Sequence, residues 1–177
     1  MKINFYAFKA IYFHEMDRFR RTLTQSLLSP VLTTSIYFIV FGSVIGGYVE
    51  KIDGISYGSY IVPGLLMLTL LTQSISNTSF GIFFPKFNGT IYEILAAPIS
   101  TLEVVLAFVG AGATKTLIVS IVIFITSLFF VDVQVKYPLL MIFLLILVAF
   151  TFALFGFLIG LISSDFEQMS IIPTLFV

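Results

Sequence analysis

Within the 177-residue chain, Thr69, Gln73, Ser76 and Asn77 recur at helical spacing along one face of an otherwise apolar segment. Side chains of this kind form hydrogen bonds rather than react, and they face lipid only at a cost. Two uses fit them: the lining of a passage through the membrane, or polar glue between neighbouring helices. Reactive chemistry has fewer candidates. His14 is the only histidine and there is no cysteine, so metal centres, disulfides and thiol catalysis lack their ligands or nucleophile. An intramembrane enzyme needs nucleophile, base and orienting group together, and no such set is found. The phosphate-binding pattern G-x-x-x-x-G-K-S/T is absent from the chain, so any chemistry of ATP and Mg belongs to a separate protein. Lys115 is the one unambiguous charge inside an apolar segment, and it is expected near the inner interface, its stem snorkelling toward water.

The elements that must position these residues follow from composition. The chain is 59% hydrophobic and 10% charged, against roughly 45–50% and about 25% in ordinary soluble domains. This predicts an all-α polytopic membrane helix bundle. Lysine plus arginine balance aspartate plus glutamate at nine each, so no long-range field draws in nucleic acid. The start of the chain mixes aromatic and charged residues in place of a cleavable leader, and the N-terminus is expected to be retained. Since about 20 apolar residues of helix cross a bilayer, complete spans are expected at about 30–48, 57–84, 104–131 and 138–162, with a fifth begun at 169–177. The first is read as starting at Ser29-Pro30, a capping hydroxyl followed by a proline in the first turn. Gly42/Gly46 and Gly156/Gly160 carry the G-x-x-x-G spacing that permits close helix contact.

Orientation follows from the basic residues near the span ends. With the N-terminus cytoplasmic, Lys2, Lys9, Arg18, Arg20, Arg21 and Lys86 lie inside and only Lys51 and Lys136 outside. Residues 1–29 then read as an amphipathic helix along the inner membrane face, with Phe5, Phe8, Tyr12 and Phe19 near one side. The asparagines of Asn77-Thr78-Ser79 and Asn88-Gly89-Thr90 match the glycosylation sequon by chance, one within a span and the other on the cytoplasmic side.

Between the second and third spans lies FFPKFNGTIYEILAAPIS, Phe83 to Ser100, with start and stop signals of its own. Pro85 is expected to end the preceding helix. Asn88-Gly89 is turn chemistry. Thr90 and Glu93 have the spacing of a capping box, and Pro98 drives Ala97 out of helical geometry. A helix of about two turns is therefore expected over Ile91 to Ala96, with Phe87, Ile91, Ile94 and Leu95 forming an apolar side. So short a helix is unstable alone in water. It either tidies the join between two spans or serves as a knob held by a cytoplasmic partner.

The chain resembles the membrane subunit of type-2 ABC transporters, the ABC-2 permease family. The resemblance rests on Val62-Pro63-Gly64-Leu65-Leu66, on Phe87 to Ala97 followed by Pro98-Ile99-Ser100, and on Phe155-Gly156-Phe157-Leu158-Ile159-Gly160. It implies that Phe87, Asn88, Gly89, Thr90, Ile91, Tyr92, Glu93, Ile94 and Leu95 belong to a coupling helix that contacts a nucleotide-binding subunit. Residues 1–29 would be the connecting helix and 30–177 the transmembrane domain. It tilts the reading of Thr69, Gln73, Ser76 and Asn77 toward a pathway lining. The partners implied are an ABC ATPase carrying ATP and Mg, and a second permease copy in a homodimer, in a bacterial inner membrane. Family members have six spans, and this chain stops early in the fifth. The function implied is that of the membrane-spanning permease of an ATP-driven exporter. A gradient-driven carrier wants more ionisable groups in its spans than Lys115 alone, and a non-transporting scaffold is the other alternative.

Overall fold

The computed structural model describes residues 5–45, 54–133 and 135–175. They form helices without a strand among them: α1 (Phe5–Arg21), α2 (Leu23–Tyr37) continuing as a π-helical segment (Phe38–Ile45), α3 (Tyr57–Phe87), α4 (Ile91–Ala96), α5 (Thr101–Leu128), α6 (Pro138–Ile162) and α7 (Phe166–Leu175). Four stretches are long and apolar enough to cross a membrane: Leu23–Phe41, Tyr57–Phe87, Thr101–Leu128 and Pro138–Ile162. The 31 residues of α3 extend about 46 Å at helical rise, well beyond a hydrocarbon core of about 30 Å. Its last turns carry α4 at the end of the bundle.

Packing is set by small residues. The most extensive contact is between α3 and α6, where Gly156 and Gly160 lie against the α3 backbone at Ile75 and Ser79. A Cβ at either glycine would overlap that backbone, so the G-x-x-x-G spacing of α6 brings the two helices as close as their main chains allow. The equivalent spacing at Gly42/Gly46 reaches outside the described residues. On an adjoining face of α3, Gly112 of α5 receives the side chain of Thr78. Leu66, Leu70, Ile82, Phe108, Val109, Leu145 and Phe157 fill the space between the three helices.

Three local expectations are corrected. Ser29-Pro30 does not start the first span: α2 begins at Leu23, after a break at Thr22 (φ −104°, ψ 15°), and Pro30 is a buried residue of its interior. The apolar residues upstream of Ser29, with Leu27 packed beside Phe19, extend the helix past a proline whose own lost hydrogen bond is a single one. Pro85 likewise does not end α3, which runs on to Phe87; so near a terminus, only the last turn bears the missing N–H. Thr90 does not form a capping box. It is the residue before α4 but lies in helical geometry (φ −66°, ψ −15°) and makes no side-chain cap; its hydroxyl donates to the Pro85 carbonyl instead. The capping box of this region is one helix later, where the Ser100 hydroxyl accepts from the Glu103 amide and the Glu103 carboxylate accepts from the Ser100 amide.

α1 packs one side against α5. Phe19 is buried beside Val119 and Ile123 of α5, and the Tyr12 hydroxyl donates to Thr114 Oγ1 at 3.0 Å. The side bearing Tyr12 and Phe19 is thus spent on α5, while Phe5 is left exposed.

Candidate functional site

The turn into α4 is built by Asn88, which caps α3 through its amide, and by Gly89 at φ +78°, a left-handed conformation that a side chain would strain. Ala97 (φ −75°, ψ 149°) ends the helix ahead of Pro98. The bounds of α4 are those read from the sequence, but its faces divide differently. Ile91 and Ile94 pack onto the main core cluster. Tyr92, 72% exposed, and Leu95, 68% exposed, point away from it together with Glu93. Phe87 separates from Ile91 and Ile94. Its ring meets Phe83 at 6.0 Å and Phe166 of α7 at 4.8 Å between centroids, while Phe83 meets Phe166 at 4.9 Å. Beside this aromatic cluster, Lys86 Nζ donates to the carbonyls of Leu161 and Ser163 at 2.7 and 2.8 Å. A cation on the exposed carbonyls of a helix C-terminus is favourably placed against the helix dipole. The base of α4 is thereby tied to the end of α6 and to the start of α7.

The polar face of α3 is brought together only in part. Asn77 Nδ2 donates to Gln73 Oε1 at 3.4 Å and lies 3.5 Å from Thr116 Oγ1 of α5. The Thr69 hydroxyl turns back to the Leu65 carbonyl of its own helix. Ser76 and Asn77 line an open-sided cavity of about 760 Å³ between α1, α2, α3, α5 and α7; Thr69 and Gln73 are not among its wall residues.

That cavity holds what the reading of the sequence missed. Lys115 does not snorkel to water: it is 3% exposed, and its ammonium donates to Glu15 Oε2 of α1 at 2.7 Å. Glu15 is 2% exposed and also receives Arg18 Nη2 at 2.8 Å. A lone lysine in an apolar helix requires a counter-charge, which was the available signal; the partner lies 100 residues away in the chain, on a helix assigned to the membrane surface. No group of three or more potential metal ligands occurs among the described residues.

The long α3, the short α4 at its end and the close α3–α6 packing define a multi-pass membrane protein in which a short helix is fastened to the spans. The chain belongs to the ABC-2 type transporter family, whose sequence profile matches residues 6–177. It is 37% identical to the inner membrane transport permease YadH of Escherichia coli K12 over 174 residues, 98% of this chain and 68% of the relative. The YadH proteins of Escherichia coli O157:H7 and Shigella flexneri match equally. No solved structure matches it significantly.

Proposed function

We propose that the chain is the permease of an ATP-driven exporter in a bacterial inner membrane, with its N-terminus in the cytoplasm. It works as a homodimer with two copies of a separate ATPase subunit, which carries ATP and Mg. The supporting observation is the division of α4 into a held face and a free face: Ile91 and Ile94 anchor it to the core, leaving Tyr92, Glu93 and Leu95 outward. An ATPase that grips the outward face would move α3 directly, and α6 and α7 through Lys86 and Phe87. ATP-driven approach of the two ATPases would then alternate the spans between inward-facing and outward-facing states, with substrate passing between protomers. The names of the YadH relatives, inner membrane transport permeases, agree with the membrane assigned.

The test is co-expression with a candidate ABC ATPase subunit from the same genome and reconstitution in lipid. Glu93→Arg and Leu95→Asp are expected to abolish co-purification or permease-dependent ATP hydrolysis while the permease keeps its melting temperature. If no ATPase associates, or both variants behave as wild type, α4 is only a join between spans, and a gradient-driven carrier or scaffold is the better reading.

A further inference from the structure

The cavity beside Glu15 is unbalanced in charge. Among the described residues, the ion pairs are those of Glu15 with Arg18 and with Lys115, so two cations share one carboxylate and the cluster keeps an excess positive charge. An excess positive charge on the wall of an open-sided cavity attracts an anion. Arg18 is placed to meet one. Its guanidinium has five N–H donors in a rigid fork, one nitrogen holds Glu15, and the group lies 5.4 Å from the centroid of the Phe80 ring. Its side chain remains 27% exposed on the cavity wall. The same wall carries the polar side chains of Gln25, Ser26 and Asn77 and the apolar side chains of Phe19, Phe80 and Met169. It thus offers one partly exposed cation beside both polar and apolar surface.

We propose that this cavity binds an anionic amphiphile, its phosphate-type head against Arg18 and its chain along Phe80 and Met169. Arginine suits the head because its fork matches phosphate oxygens bidentately. The volume of about 760 Å³ falls within the range of sites for small ligands, enough for a headgroup and the first part of a chain. The open side admits the rest. The site is independent of α4, and its existence does not depend on an ATPase partner.

The experiment is native mass spectrometry of the purified permease with phosphatidylglycerol or phosphatidylcholine added, alone and with millimolar inorganic phosphate as competitor. Phosphatidylglycerol is expected to bind in preference to phosphatidylcholine. Arg18→Gln is expected to weaken it about tenfold, the scale of one charge-assisted hydrogen bond, and Arg18→Lys less. Arg20→Gln, an exposed cation on the same helix, is expected to leave it unchanged. Displacement by phosphate would overturn the amphiphile as ligand in favour of a soluble phosphate; persistence of the lipid supports it. Equal binding of the two lipids, or undiminished binding to folded Arg18→Gln, overturns the proposal. Should Arg18→Gln fold poorly, Gln25→Leu, at an exposed position of the same wall, replaces it under the same criterion.

Discussion

Glu15 of α1 and Lys115 of α5 form a buried ion pair with 2.7 Å between Oε2 and Nζ. It fastens the N-terminal helix to the bundle from within. Removing one partner of such a pair strands the other, at a cost of roughly 3–5 kcal/mol, whereas replacing both by apolar groups is often neutral. Glu15→Leu and Lys115→Met are therefore each expected to lower the melting temperature markedly, and the double variant to recover part of the loss, since Arg18 still loses its carboxylate. A double-mutant cycle in nanodiscs checks this; additive losses would show that the two side chains act independently.

Gly156 and Gly160 have no room for a side chain, because the α3 main chain at Ile75 and Ser79 occupies it. Leucine at either position is expected to separate α3 from α6 and abolish recovery of folded, monodisperse protein. Gly64, with nothing near the place of its absent Cβ, is the control. Gly64→Ala should purify as wild type.

On α4, neighbouring residues are expected to give opposite phenotypes. Ile94→Asp places a charge against the core cluster and should destabilise the permease itself by about 2–5 kcal/mol, the scale of losing a buried aliphatic side chain. Leu95→Asp, on the exposed side, should leave the melting temperature in place and affect only association with the ATPase. Similar stability losses in both would mean that α4 lies deeper in the bundle than described.

Lys86→Met would release the carbonyls of Leu161 and Ser163. Loosening is expected at the α6–α7 turn, read as about tenfold faster hydrogen exchange at the Ser163 amide, which bonds the Ile159 carbonyl. Exchange there at the wild-type rate would remove Lys86 from the linkage between α4 and α6.

Ser100→Ala should cost about 1 kcal/mol through loss of the α5 N-cap, whereas Thr90→Ala should cost less because Thr90 caps nothing. Thermal melts of the two variants compare them directly.

Much of the helical plan is legible without coordinates. Hydropathy locates the four apolar crossings because a bilayer imposes a minimum apolar length. Asn88-Gly89 and Pro98 bound α4 because positive φ and the restriction before proline act within neighbouring residues. Local signals mislead where they compete. Pro30 and Pro85 are boundary signals by their local chemistry, yet each is carried inside a helix whose flanking packing outweighs one missing hydrogen bond. The capping motif at Thr90-Glu93 has a rival at Ser100-Glu103, and spacing does not choose between them. The backbone at Thr90 is already helical, so its hydroxyl does not turn to the first free amides.

What the sequence determined by itself is a set of apolar helices, their approximate ends and a short separate helix, since those depend on residues within a turn or two of each other. Tertiary structure decided which polar groups meet. Asn77 finds Gln73 and Thr116, while Thr69 turns to its own backbone. Glu15, on a helix that looks suited to a membrane surface, instead neutralises Lys115 inside the bundle. Such pairings join residues far apart in the chain, and their partners are fixed by how closely α1, α3, α5 and α6 pack. Among α3, α5 and α6 that closeness is set by Gly112, Gly156 and Gly160, whose identities are plain in the sequence but whose neighbours are not.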